Sequence, residues 1–200
     1  MAGAVSVAIL AGGHSSRMGT NKALVRVGGR TIAERIVEQV RPLTEELILV
    51  TNTPEVYAWL DLPMFGDLIP DKGPLGGLYT ALSGVRNDCA LVVSCDQPFL
   101  NAELLRYLIW LREGYDVVVP LAPDGYPQSM HAVYRKTCLG PIRARIDAER
   151  LKVIGFFEDV RVRRVPMEEI APIDPERLSF VNVNTPDDLA EAERLARHMR

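Results

Sequence analysis

The sequence has only three cysteines, Cys89, Cys95 and Cys138, widely spaced and without a C-x-x-C pair. That scarcity excludes a disulfide framework and offers no zinc-ligand spacing, so reduced thiols are expected. Long apolar runs are missing as well. No stretch approaches the ~20 residues that a membrane span requires, and no basic segment leads into a long apolar one near Met1. A cytoplasmic location with no membrane partner is the expectation. Charge is never concentrated in one sign: the net value is −3 over 200 residues, which argues against the broad basic surface of a nucleic-acid binder. Small molecules or protein are then the expected partners. Internal repeats, low-complexity tracts and linkers are absent too. With 48% apolar residues, the chain is expected to form a single domain over residues 1–200, large enough to bury a core of its own.

What is present is an alternation of strand and helix signals. Val5 to Leu10 is almost wholly apolar, as suits a strand covered on both faces, and Leu47 to Val50 and Cys89 to Ser94 repeat the pattern. Between Thr31 and Val40, Ile32, Ile36, Val37 and Val40 recur at helical spacing, with Pro42 just beyond. Further helices are expected at Pro54 to Leu60, Leu75 to Val85, Ala102 to Arg112 and Lys136 to Ala148. Further strands are expected at Asp116 to Pro120 and Ser129 to Tyr134. The segment DVRVRRVPM reads as a strand with one solvated face. In NTPDDLAEAERLARHM, Thr185 suits an N-cap, Pro186 the first helical position, and Asp187 and Asp188 the positive helix end. Strands separated by helices indicate βαβ units and an α/β fold class, a three-layer sandwich with ligands at the carboxyl ends of its strands.

The stretch ILAGGHSSRMGTNKAL follows the first strand. Gly12, Gly13 and Gly19 allow backbone N–H groups to point into one concavity, and Arg17 and Lys22 add positive charge, a combination suited to an anion. Its spacing is neither G-x-G-x-x-G nor that of the P-loop, which disfavours a dinucleotide dehydrogenase or P-loop NTPase. A second signal closes the third strand, at SCDQPFL. A carboxylate at the end of a buried strand bears a desolvation cost that a divalent cation relieves, so Asp96 is the leading metal ligand. Its neighbour Cys95 reads as a packed thiol rather than a nucleophile. In GDLIPDKGPLGG, one of Asp67 and Asp71 is a candidate nucleotide contact and the other a turn residue. In FVNVNTP, Asn182 and Asn184 fall on one side of an expected short strand, where an amide reaches a metal-bound phosphate or water. Alternation also puts Ser129, His131 and Val133 on one face of their strand.

With these motifs in view, the chain resembles the molybdenum cofactor guanylyltransferases, within the wider nucleotidyltransferase superfamily. LAGGHSSRMGTNKAL is similar to that family's opening L-A-G-G-x-S-x-R-M-G-x-x-K, and GPLGGL, CDQPFL, HAVYR and VNVNTPDDL follow in the family's order. The resemblance spans nearly the whole chain. It implies a Rossmann-like nucleotidyltransferase fold with a mostly parallel central sheet. It also implies transfer of GMP from GTP to molybdenum-bearing molybdopterin, with Mg²⁺ as cofactor, release of pyrophosphate and transient contact with other cofactor-biosynthesis proteins. By the same resemblance, Leu10, Ala11 and Gly12 would meet guanine and ribose, and Gly13, Arg17 and Lys22 the phosphates. Asp67 would contact the nucleotide, Asp96 would hold the metal, and Asn184 would lie near the reacting phosphates. The family's asparagine after the second strand corresponds to Thr51 or Asn52, and Asn21 stands where the family often has an acid or proline. His131, Arg135 and Asn182 are the acceptor-side candidates. The closest rival is the cytidylyltransferase of the same cofactor; a sugar-phosphate nucleotidyltransferase and a non-catalytic nucleotide-binding module are the others. GPLGG and NVNTPDD look more like the guanylyl branch.

Overall fold

A computed structural model of the chain describes residues 4–12 and 22–199. Its elements, in order, are β1 (Val5–Leu10), β2 (Arg26–Val27), β3 (Arg30–Thr31), α1 (Ile32–Val40), β4 (Leu47–Val50), α2 (Pro54–Tyr57), β5 (Met64–Phe65) and α3 (Gly73–Gly84). There follow β6 (Cys89–Ser94), α4 (Ala102–Trp110), β7 (Val117–Pro120), β8 (His131–Arg135), α5 (Leu139–Asp147), β9 (Val162–Val165), α6 (Met167–Ile170) and α7 (Pro186–His198).

Seven strands form one sheet in the order β5-β4-β1-β6-β8-β7-β9. All run parallel except β8, which is antiparallel to both of its neighbours. The side-chain period of two sorts the central strands between two faces. Val7, Ile9, Leu49, Leu91 and Val93 enter one cluster, with α1, α4 and α7 laid over it. Ala8, Ile48, Val50, Ala90 and Val92 enter the other, under α3 and α5. The result is a three-layer α/β/α sandwich. Burial of Leu104, Leu105 and Leu108 on α4 is complete, and each such side chain contributes about 1.5–3 kcal/mol of transfer free energy.

Local chemistry sets the helix starts. Thr31 caps α1 by accepting from Glu34 N (3.1 Å), while the Glu34 carboxylate accepts from Thr31 N (2.6 Å). The same reciprocal box joins Thr185 and Asp188 at the head of α7, where Pro186 occupies the first turn. Each box satisfies two N–H groups that the helix leaves unpaired.

Differences from the sequence expectations are local. The Pro54 to Leu60 helix divides into α2 and a 3-10 turn, and Lys136–Cys138 is a 3-10 turn ahead of α5. Residues 181–184 are extended but form no strand. Val183 N donates to Asp96 O (2.8 Å), and the described residues supply no second ladder partner. The alternation is real, because Val183 is fully buried between half-buried Asn182 and Asn184. It reflects packing onto the sheet's end rather than pairing.

Candidate functional site

The chain leaves β1 toward β4 with α1 on one face, then returns through α3 on the other face to reach β6 on β1's far side. The carboxyl ends of β1 and β6 therefore lie side by side at the point where the winding reverses, which is where open α/β sheets bind ligands. Two backbone bonds fix this edge. Ala11 N donates to Val50 O (2.9 Å), and Cys95 N donates to Leu10 O (3.1 Å). Gly12 is exposed, and a Cβ added there would meet no described atom within 4 Å. Gly13 and Arg17 lie outside the described residues. Lys22 opens the 3-10 turn Lys22–Leu24.

On the β4 side Thr51 and Asn52 have different surroundings. Thr51 is buried, and its hydroxyl accepts from Thr53 N (3.2 Å). Asn52 is exposed and interlocks with Asp67: its amide donates to Asp67 Oδ2 (2.8 Å) and its carbonyl accepts from Asp67 N (2.8 Å). Residue 66, beside this pair, is glycine, and a Cβ there would sit 3.4 Å from Asn52 Oδ1. On its other side the loop is held by Leu68 N, which donates to Thr80 Oγ1 (3.0 Å) on α3. Asp71 sits at φ +60°, the conformation of a turn residue. Lys72 is spoken for by Glu149 (2.6 Å).

Asp96 lies two residues beyond β6 and accepts a short hydrogen bond from Ser94 Oγ. The helix that follows does not use it as a cap. Asn101 performs that task, its Oδ1 accepting from Glu103 N (2.9 Å) and Leu104 N (3.2 Å). The Asp96 carboxylate is half-buried, with Ser94 Oγ as its hydrogen-bond donor. Among the described residues no group of three His, Cys, Asp or Glu side chains is arranged to enclose a metal. One carboxylate is the donor set of a cation that takes its other ligands from phosphate oxygens and water. The adjacent Cys95 is fully buried, and desolvation, with the Asp96 charge beside it, pushes its thiol far above the ordinary range. Such surroundings suit a packed thiol.

Asn182 and Asn184 flank the Val183–Asp96 bond, so both stand at the Asp96 end of the sheet. The Asn184 N–H donates to Asp188 Oδ2 (2.9 Å), which ties this segment to the head of α7. Two acceptor-side candidates, His131 and Arg135, stand at opposite ends of β8. His131 is fully enclosed rather than open to the edge, opposite Val93 in the β6–β8 register. Its ring stacks on Phe180 with centroids 6.2 Å apart. Burial lowers its pKa to about 4, against smaller opposing pulls from Asp174 and the Ser179 backbone. Neither ring nitrogen has a hydrogen-bond partner among the described residues. Arg135 is at the wrong end of the molecule. Because β8 is antiparallel, Arg135 pairs with Cys89, the first residue of β6, five residues from Ser94, or about 17 Å at the rise of a strand. There it donates to Tyr115 O (2.8 Å) and Arg112 O (3.3 Å), a structural task.

Sequence reasoning passed over Ser94, Gln97 and Phe180. Ser94 was legible from S-x-D at the strand's end. Gln97, 2% exposed with an unpartnered Oε1, stands inside CDQPFL, but nothing in that stretch announces its burial.

The chain matches the family model described as "MobA-like NTP transferase domain" over residues 7–160. A relative named "Probable molybdenum cofactor guanylyltransferase" from Carboxydothermus hydrogenoformans is 42% identical over 185 residues, covering 92% of each chain. A "Molybdenum cofactor guanylyltransferase" from Desulfosudis oleivorans is 32% identical over 95% of each chain. Among solved structures, molybdopterin-guanine dinucleotide biosynthesis protein A from Archaeoglobus fulgidus superposes with a TM-score of 0.85 at 27% identity, over 98% of this chain and 100% of its own.

Proposed function

The chain belongs to the MobA-like NTP transferase domain family, and from that premise we propose that it transfers GMP from GTP to molybdenum-bearing molybdopterin, releasing pyrophosphate. The observation that carries this reading is the likeness to named guanylyltransferases at 42% identity over more than nine-tenths of the chain. The site is consistent with it: Asp96 stands at the β1/β6 reversal with the interlocked Asn52–Asp67 pair on one side and the asparagine segment on the other.

In the proposed reaction the acceptor's terminal phosphate oxygen attacks the GTP α-phosphorus and pyrophosphate leaves in line. Such chemistry needs alignment and charge neutralisation more than a covalent nucleophile. Leu10, Ala11 and Gly12 offer backbone groups to the base and ribose, and Asn52 and Asp67 border the same side. Gly13, Arg17 and Lys22 take the phosphates and the charge that builds on pyrophosphate. Asp96 would hold Mg²⁺, which when bound supplies Lewis-acid neutralisation of phosphate oxygens. Asn184 orients the reacting phosphates, and Asn182 faces the acceptor.

The test is pyrophosphate release with GTP and CTP side by side, with Mg²⁺, in the presence and absence of molybdopterin. Turnover requiring both GTP and molybdopterin is expected. Turnover with CTP alone would make the chain a cytidylyltransferase, and turnover with a sugar phosphate in place of molybdopterin would overturn the acceptor.

A further inference from the structure

We propose that His131 is a positioning residue, which sets the asparagine segment over the Asp96 strand end and is kept for its ring nitrogens rather than its packing; this rests on the transferase reading. His131 begins β8 beside Val93, three residues before Asp96, and the Ser94 N–H donates to Met130 O (3.1 Å) next to it. Phe180 stacks on its ring at an interplanar angle of 16°. Three residues on, Val183 N reaches Asp96 O. Asn182 is thus held between one contact with His131 and one with Asp96, and Asn184 follows directly.

The nitrogens matter because of what they cost. Among the described residues, three buried side-chain polar atoms have no hydrogen-bond partner: both nitrogens of His131 and Oε1 of Gln97. All three belong to the shared end of β6 and β8, beside Asp96. Elsewhere comparable groups are satisfied, as Asp174 is by Leu178 N (3.2 Å) and Ser179 N (3.0 Å). A buried ring with no hydrogen-bonding neighbour beyond a weakly placed Ser179 backbone group costs stability, and phenylalanine would fill the same space without that cost. Local rules broken in this way collect at functional sites. The neighbour placed to relieve that cost is the Ser179 backbone, one residue before the Phe180 ring that stacks on His131. It belongs to the turn that leads into Phe180. With nucleotide and acceptor in place, the ring donates to this turn and draws Asn182 and Asn184 over Asp96.

The experiment compares the wild-type chain with His131→Phe and His131→Asn, measuring thermal transitions, kcat, and KM for GTP and for molybdopterin. His131→Phe is expected to melt no lower than wild type and to keep its KM for GTP within about twofold, while kcat falls at least about tenfold; His131→Asn, which retains a polar amide, recovers part of that loss. The ¹⁵N ring signal of His131, assigned by its absence in His131→Phe, is expected to shift when GTP, Mg²⁺ and molybdopterin are added together. Wild-type kcat in His131→Phe, or an unmoved ring signal during wild-type turnover, would reduce His131 to packing and overturn the proposal while leaving the transferase reading intact. A wild-type chain inactive with every nucleotide would remove both.

Discussion

Asp116 provides a pH test that separates the sheet's scaffold from its reacting edge. It precedes β7 and is 8% exposed, and both of its oxygens are engaged. Oδ2 accepts from Arg161 N (3.0 Å) and Arg161 Nε (3.0 Å), and Oδ1 accepts from Thr137 Oγ1 (2.8 Å). The Arg161 guanidinium does most to pull its pKa from 3.8 to about 2, with the Arg161 and Thr137 bonds outweighing desolvation. That displacement corresponds to at most about 2.4 kcal/mol favouring the charged native form. The Arg161 side chain is 67% exposed, so solvent screening reduces the contribution to about 1 kcal/mol. The sign follows from a native pKa below the unfolded one. The stabilisation is complete above about pH 5 and is lost as pH falls through 3.8 toward 2. Urea unfolding of wild type and Asp116→Asn should therefore differ by about 1–2 kcal/mol at pH 7, with the gap closing toward pH 3. Glu34, Glu46 and Glu169 are also held below their ordinary range, but they titrate in both proteins and cancel in the difference. A gap that stays constant between pH 7 and pH 3 would refute the assignment of the effect to Asp116 ionisation.

Arg135→Ala should leave kcat and both KM values within about twofold of wild type while lowering unfolding free energy by about 1 kcal/mol, since its bonds lie at the opposite end of the sheet from Asp96; a lost acceptor affinity would restore it to the site. Breaking the Asn52–Asp67 interlock with Asn52→Ala should raise KM for GTP by about tenfold, or about 1.4 kcal/mol, with folding stability moved by less than about 0.5 kcal/mol as suits an exposed pair. Calorimetric titration with GTP and urea unfolding check the two halves. Asp96→Ala should lower turnover by about 10³-fold, the scale of one lost electrostatic contact with the reacting centre, and excess chelator should abolish wild-type turnover. A sharp thermal transition should persist, because Asp96 caps no helix and fills no core.

Much of this architecture is legible in single stretches. The run from Cys89 to Ser94 is a strand with those limits because every residue is compatible with burial and a charge ends it. Thr185 and Pro186 begin α7 for reasons contained in four residues. Asp96 stands out for the same local reason, a carboxylate where an apolar strand stops. What escaped the sequence depends on partners distant in the chain. The Asn52–Asp67 interlock needs β4 and the two-residue β5 to pair, Leu49 with Met64 and Val50 with Phe65, and two residues give no periodicity to read. Asn182 and Asn184 look like strand residues because alternating burial is the signature of a strand. The same alternation arises wherever an extended segment lies on a core with one anchoring bond.

The least legible feature, the direction of β8, has the largest consequence for the site. Alternation in HAVYR is identical whichever way the strand runs, so sequence places His131 and Arg135 on a strand without saying which end meets the ligand. Parallel insertion between β6 and β7 would have carried Arg135 to the Asp96 edge and His131 away from it. Antiparallel insertion does the reverse: the cation becomes a tie to the Tyr115 and Arg112 carbonyls, and the imidazole comes to rest beside Val93 under Phe180. The reversal follows from connection length. Ten residues separate Pro120 from His131, enough for a hairpin, which Leu121 and Pro127 close with an isolated bridge, but too few for a helical crossover to a parallel neighbour. The strand that interrupts the parallel order is thus the one that brings a buried polar ring to the Asp96 end of the sheet, because a hairpin returns the chain at the end where its predecessor stopped.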